Sequence, residues 1–520
     1  MSPDDFAAIA AQGYNHIPVV REVLADLDTP LSSYIKVARG QYSYLLESAA
    51  QGAEKWARYS MVGLPCSSVL KVYGFEIVIE ERGVATDRFT CADPLEYVEQ
   101  FQQQFRYPPI DNLPIYTGGL VGYFGYDTVR YVEKKVLDST PPDSIGTPDI
   151  LLMVSNDVMV FDNVKGKIHL ITHADPTTDD AFERAQRRLD EMAAGMQALI
   201  PVSIREPAVG PMIHEEDFVS SYGQTKFKSD VDKIKEYIEA GDVMQVVLSQ
   251  RMSVTMESDP LNLYRALRAL NPSPYMYYMD LGDFHIVSSS PEILARLDNG
   301  EVTVRPLAGT RRRGRNEAED LALEVELLAD AKERAEHLML IDLGRNDIGK
   351  VCEIGSVHVS EMMTVERYAH VMHIASNVQG KIRAGLSAMD LLRATLPVGT
   401  LSGAPKVRAL EIIDECEPVK RGIFGGAVGY LSWNGNMDTA IAIRTAIVKD
   451  HTLYVQAGAG VVADSVAESE WQETLNKARS IFRAVALAEA GLGLDSTREN
   501  VRAYNPAQAR KVVGEVDPAL

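Results

Sequence analysis

Leucines and alanines recur at helical spacing through DLALEVELLADAKERAEHLMLIDL, residues 320–343, with no Pro or Gly, which predicts one continuous helix. ESEWQETLNKARS, 468–480, predicts a second, with Asp464 as N-cap and an end near Ala490. PTTDDAFERAQRRLDEMAAGMQALI, 176–200, reads as a long amphipathic helix starting near Pro176, and DKIKEYIEAGD as one stopped near Gly241. Strand patterns appear in KVYGFEIVIEE, PDILLMVSNDVMVFDN, KIHLITH and MQVVLSQRMSVTM. PYMYYMDLGDFHIVSSSP reads as a hairpin turning near Leu281, Gly282 and Asp283. VGYLSWNGNMDTAIAIRTAIVKDHTLYVQAGAG reads as three strands, the first turn at Asn434-Gly435. Strands joined by tight turns imply antiparallel sheets, and helices in blocks between them imply α+β, not a doubly wound sheet. PVSIREPAVGPMIHEED, 201–217, is Pro-rich and without period, so it predicts a linker between an N-terminal domain, 1–205, and a denser one, 218–490. The end, 491–520, is polar and predicts a poorly ordered tail.

Composition narrows the function classes. Hydrophobic residues make up 46% of 520, charged ones 24%, and the net charge is −21. So acidic a chain should repel nucleic acid and anionic membrane, and neither is expected as a partner. RRRGR, 311–315, is too short for a nucleic-acid face; it reads as a solvated turn able to draw a small anion. The four cysteines are far apart and form neither a disulfide framework nor a zinc knuckle. The acidic start is unlike a signal peptide, and no apolar run reaches the ~18 residues of a membrane span. The expectation is a reduced cytoplasmic protein.

Residues three apart share a helix face. Glu333 and Glu336 therefore point together, and so do Glu470, Glu473 and Lys477. Two helices each presenting a glutamate pair could enclose a hard cation with carboxylate oxygens, which suits Mg²⁺. A di-iron centre needs Glu-x-x-His on two helices, and the second helix has no histidine. His337 reads as a hydrogen-bonding support or core residue, and the isolated pair Glu96/Glu99 as surface. Gly458-Ala459-Gly460 lets backbone approach a ligand, and PVGTLSGAPK precedes a helix whose N-terminus suits an anion, though it is no Walker A loop. Arg444 lies inside an apolar strand pattern, either paired structurally or aimed into a cleft at an anion. Together these residues imply a metal-dependent site for a small substrate with more than one carboxylate.

In order, DAKERAEHLMLIDLGRNDIGKV, PVGTLSGAPK, RGIFGGAVGYL, IAIRTAI, QAGAGVVADS and ESEWQETLNKA resemble the chorismate-utilising enzymes, over about 218–490. YLLES and WARYSMVG extend the resemblance to the first half, within the anthranilate-forming branch. It implies that family's fold, a large composite sandwich of mainly antiparallel sheets. It also implies Mg²⁺ on Glu336 and Glu473, supported by Glu333 and Glu470. Gly309, Thr310 and Thr400 would line the chorismate ring. Arg444 with the backbone of Gly458, Ala459 and Gly460, beside Lys477, would hold the enolpyruvyl carboxylate. His373 matches the catalytic histidine, and Glu292 the acid that protonates the departing 4-hydroxyl. The implied reaction adds ammonia at C2 with loss of that hydroxyl, then eliminates pyruvate to leave anthranilate, the first step of tryptophan biosynthesis.

Gln245 stands where isochorismate- and salicylate-forming relatives carry a lysine base, and Ala308 where 4-amino-4-deoxychorismate synthases carry lysine. Phe424 departs from the usual tyrosine, which puts the enolpyruvyl contact in question. No glutaminase nucleophile elbow is present, so the resemblance implies a separate glutamine amidotransferase subunit as ammonia source. It also implies feedback inhibition by tryptophan at Glu47, Ser48, Pro274, Tyr275 and Met276. By themselves, LLES reads as a strand end and PYMYY as a packed sheet face. The competing readings are a 4-amino-4-deoxychorismate synthase, a weakly catalytic tryptophan-binding regulatory subunit, and a metal-binding protein without catalysis.

Overall fold

The structure is a computed structural model describing residues 1–49, 58–136, 139–368 and 371–493. Most of the predicted tail, and Trp56 and Ala57 of WARYSMVG, lie outside the described residues.

Among the described residues, antiparallel strands form two sheets of twelve each. The predicted hairpin is Tyr275–Asp280 paired with Phe284–Ser290, Tyr278 opposite Val287. The segments before and after the Pro-rich stretch share both sheets. In the first, Ser43–Glu47 pairs with Tyr275–Asp280 and Glu47 lies opposite Met276. In the second, Gly119–Phe124 pairs with Ala427–Ser432 and Gly122 lies opposite Gly429.

Strand alternation builds the layers. Tyr44, Val160, Tyr277 and Ile286 of the first sheet and Val121, Leu151 and Val428 of the second belong to one buried apolar cluster between the sheets. The other face of the first sheet packs on the Ala181–Gly195, Pro260–Leu270 and Ala467–Glu489 helices. The other face of the second packs on Pro94–Gln103, Ala331–Gly349 and Ala388–Thr395. The α+β sandwich expected from the resemblance is thus helix, sheet, sheet, helix. Among the described residues no helix is long and apolar enough to cross a membrane.

Local chemistry moved several predicted boundaries. The helix expected over 320–343 is two, Glu317–Ala329 and Ala331–Gly349. Asp330 leaves the helical conformation, and its carboxylate accepts from the N–H groups of Lys332 (3.0 Å) and Glu333 (3.3 Å), starting the second helix afresh. The helix expected from Pro176 begins at Ala181, because Asp175 folds back on Thr177 N–H (2.9 Å) as a turn. Val466, not Asp464, is the N-cap of Ala467–Glu489. Arg444 is not inside a strand: it sits between Met437–Ile441 and Thr445–Lys449 with φ +49°.

Candidate functional site

Two side-by-side crossovers between the sheets create the site. Phe284–Ser290 lies in the first sheet and Ile293–Asp298 in the second, so the chain changes sheet at Pro291-Glu292. Met437–Ile441 and Thr445–Lys449 change back at Ala442–Arg444. Ile441 N–H donates to Glu292 O (3.0 Å) and Ser289 N–H to Arg444 O (3.2 Å), which locks the crossovers together. Glu292 is only 6% exposed. Burial pushes its carboxyl up to about 8, with partial opposition from a Leu307 backbone hydrogen bond, the Thr400 hydroxyl, and the Arg444 and Lys477 charges. It therefore stays largely protonated at neutral pH. Thr400 Oγ1 is 3.4 Å from it.

His373 arrives on Val371–Lys381. Its Nδ1 is 2.9 Å from Gly309 O and 3.1 Å from Thr310 Oγ1. A carbonyl only accepts, so Nδ1 carries the proton and Nε2 keeps its lone pair. Burial, then the Arg444 charge, lowers this imidazole to about 4, so it is neutral. Gly309 needs to be glycine: its φ is +66°, and a Cβ there would lie 3.0 Å from Leu327 Cδ1 and 3.2 Å from Glu333 Oε2.

The opposite wall is the Thr452–Val461 strand and the helix after it. Gln245–Thr255 pairs with this strand, setting Val247 opposite Gly460, Leu248 opposite Ala459 and Ser249 opposite Gly458. Gln245 lies across Gly460, its Nε2 only 2.5 Å from where a Cβ at 460 would stand. Ala459, between the two glycines, is fully buried. Lys477 Nζ donates to Gly458 O (2.8 Å) and pairs with Glu473 Oε1 (2.8 Å).

Glu333 and Glu336 lie on one helix, and Glu336 is within range of the Glu473 charge on the Ala467–Glu489 helix. Burial, then the charges of Glu333 and Glu473, raises the pKa of Glu336. Glu470 is raised by burial and by Glu473, against a hydrogen bond from Ser465. Among the described residues no group of three or more acids, histidines or cysteines is placed to hold a metal ion. Glu333 is also held by Arg311 Nη1 at 3.3 Å. Three of the four RRRGR arginines form ion pairs: Arg311 with Glu326 and Asp330, Arg312 with Glu319, Arg313 with Asp320. His337 is fully buried and its Nε2 is 2.7 Å from Ser376 Oγ, the support expected for it. Phe424 belongs to the apolar cluster containing Leu401 and Ile441 and lies beneath the Arg421 guanidinium (5.6 Å).

Tyr368 is a neighbour that the sequence reading missed. Its ring is 5.5 Å from that of His373, its hydroxyl donates to Glu366 Oε2 (2.9 Å), and Arg305, Arg444 and Glu292 are its charged surroundings. An aromatic at a strand end carries no signal of a site.

A cavity of about 790 Å³ opens between the sheets and is lined by all of Glu47, Ser48, Pro274, Tyr275 and Met276. Sheet pairing joins the two stretches. The Glu47 carboxylate itself turns to the Pro260–Leu270 helix, meeting Tyr264 and Arg268 (3.1 Å). Among the described residues Ser48 Oγ is buried without a hydrogen-bond partner, and Tyr275 donates to Asp438 Oδ1 (2.8 Å) across the cavity.

A family profile described as chorismate binding enzyme matches residues 43–483, both segments included. The chain is 60% identical over 494 residues to anthranilate synthase component 1 of Pseudomonas aeruginosa, covering 94% of this chain and 99% of that one. It is 55% identical to the protein of the same name from Neisseria meningitidis, covering 95% and 99%. The crystal structure of anthranilate synthase component I from Streptococcus pneumoniae superposes with TM-score 0.74 at 39% identity, covering 88% of this chain and 99% of that one. The menaquinone-specific isochorismate synthase of Escherichia coli, at 18% identity, shares the fold (TM-score 0.67). The chain belongs to the chorismate-binding enzyme family, among the anthranilate synthase component 1 proteins.

Proposed function

We propose that the chain converts chorismate and ammonia into anthranilate and pyruvate in the cytoplasm, as a Mg²⁺-dependent lyase. One observation carries this reading: a buried carboxyl that keeps its proton at neutral pH, Glu292, meets the Thr400 hydroxyl and feels the Arg444 charge. Such a group suits protonation of a departing hydroxyl. Gln245, an amide without a basic lone pair, suits ammonia, which needs no base to attack C2. Arg444 and Lys477 give the enolpyruvyl carboxylate two cations. The free Nε2 of neutral His373 is a base for the proton lost when pyruvate leaves and the ring becomes aromatic.

Glu473 repels both Glu336 and Glu470, with Lys477 and Lys332 as counter-charges. That donor set fits a hydrated Mg²⁺, which keeps several waters and takes one or two protein carboxylates plus a substrate group. Glu336 and Glu473 would hold it, and Glu333, tied to Arg311, and Glu470 would support them. Bound there, the ion would neutralise and orient the ring carboxylate.

Ammonia is taken to come from a glutamine amidotransferase subunit. Tryptophan is assigned to the 790 Å³ cavity, where the buried Ser48 hydroxyl, without a partner among the described residues, is open to a donor or acceptor. Arg296 and Asp438 line it on strands that run on to Glu292 and Arg444, a short route from ligand to chemistry. Tryptophan must bind one conformational state better than the other to inhibit. Ser48→Ala is expected to weaken tryptophan inhibition and leave uninhibited turnover intact; identical inhibition curves would sink the assignment.

The purified chain, given chorismate and ammonium salt, is expected to form a 2-amino product that co-elutes with anthranilate. A 4-amino product would move it to the 4-amino-4-deoxychorismate branch.

A further inference from the structure

We infer that Glu417 and Arg421 are a positioning pair that holds three segments of the chorismate site in register, an inference that rests on the reading proposed above. Both are buried, at 4% and 3% exposed, and their polar atoms are taken up by protein partners. Each of the three nitrogens of the Arg421 fork donates to a protein oxygen. Nε donates to Glu417 Oε2 (2.8 Å), and Nη2 to Glu417 Oε1 (2.5 Å) and Val247 O (2.7 Å). Nη1 donates to Leu401 O (2.7 Å). Glu417 Oε1 also accepts from Ser249 N and Ser249 Oγ, both at 2.8 Å. The guanidinium lies 4.6 Å over the Tyr126 ring and 5.6 Å from that of Phe424.

Each atom held this way neighbours a site residue. Val247 and Ser249 lie opposite Gly460 and Gly458, and Gln245 is on their strand. Leu401 follows Thr400, whose hydroxyl meets Glu292. Phe424 closes the RGIF stretch that Arg421 opens. Gln456 Nε2 extends the network to Ser249 Oγ (2.8 Å), and Arg251 Nε extends it to Gln456 Oε1 (3.2 Å). A buried ion pair is often no more stabilising than well-packed apolar residues. Its particular property is direction: a planar fork fixes several acceptors at once, where an ammonium is a point charge. The pair thus sets the spacing between the glycine wall, the Thr400 loop and Phe424, and a displacement of about 1 Å there is enough to cost on the order of 10²-fold in rate.

The test is steady-state turnover of chorismate with ammonium salt and Mg²⁺ by the full chain, by Arg421→Lys and by Glu417→Gln. Rates are expressed per folded molecule from near-ultraviolet circular dichroism, with Tm recorded. The expected result is kcat lower by roughly 10²-fold in both variants with little change in KM for chorismate. A purely architectural pair would lower Tm and leave kcat per folded molecule at the parental value, and that result overturns the inference. Should Arg421→Lys fail to fold, Glu417→Gln, which keeps size and shape, decides by the same criterion. A parent chain without turnover would bring down the functional reading and this inference together; parental turnover with unaffected variants overturns the inference alone.

Discussion

Glu473→Gln is expected to abolish Mg²⁺-dependent turnover in a chain that still folds. The Glu473 side chain is 45% exposed and its ion pair is with Lys477, one helical turn away. Such exposed pairs contribute only about 0–1 kcal/mol, so the fold should survive the change. The site should not. Glutamine keeps the shape but loses the charge that a hard cation requires, and losing even an outer partner of a metal ligand typically lowers affinity or activity by roughly 10–100-fold. A first-hand ligand should exceed that range. Titration of Mg²⁺ against activity, with circular dichroism as the folding control, checks the claim; full activity in the folded variant refutes the metal assignment.

Glu292→Gln carries the second large effect. A positioned general acid is worth about 10²–10⁴-fold, and glutamine has no proton to give. Activity should fall by that factor while chorismate still binds. In the parent, the acid limb of the reaction should fail as pH rises through about 8, where the carboxyl ionises. Stability moves in the same direction. The folded-state pKa is raised from 4.5 to about 8, so the group's contribution is fully present below pH 4.5 and is lost as pH rises through 8. Glu292→Gln lacks this loss, so its Tm relative to the parent should rise between pH 5 and pH 9. A parental pH–rate profile in the variant would remove Glu292 from the reaction.

Much of this was legible along the chain because the signals are local. The 275–290 hairpin, the Asn434-Gly435 turn and the glutamate pairs each follow from spacing over a few residues. Asp330 shows the limit: an unbroken helical pattern hides a break that a single capping carboxylate makes. Arg444 shows another. IAIRTAI is apolar on both sides of the arginine, and periodicity holds no mark that the chain leaves one sheet for the other there. The sharing of both sheets by 1–205 and 218–490 rests on pairings such as Glu47 with Met276, far apart in sequence. Tyr368, Glu417 and Arg421 were passed over for a related reason: each acts through partners that only the folded chain brings near.

Glu292 and His373 took their roles from resemblance, and the structure adds physical grounds. Burial raises Glu292 at its sheet crossover and, with the Arg444 charge, lowers His373 on its strand, giving a protonated carboxyl and a neutral imidazole at the same pH. Two titratable groups pushed apart in this way are the arrangement that acid and base steps at one site require.

The most direct measurement is a product balance. The purified chain is incubated with chorismate, ammonium salt and Mg²⁺, with and without a chelator, and anthranilate and pyruvate are both quantified. Equal amounts of the two, formed only without chelator, are the result expected. An amino intermediate without pyruvate would show that Phe424 fails the elimination step. No turnover while tryptophan still binds would contradict the account and leave a regulatory subunit in its place.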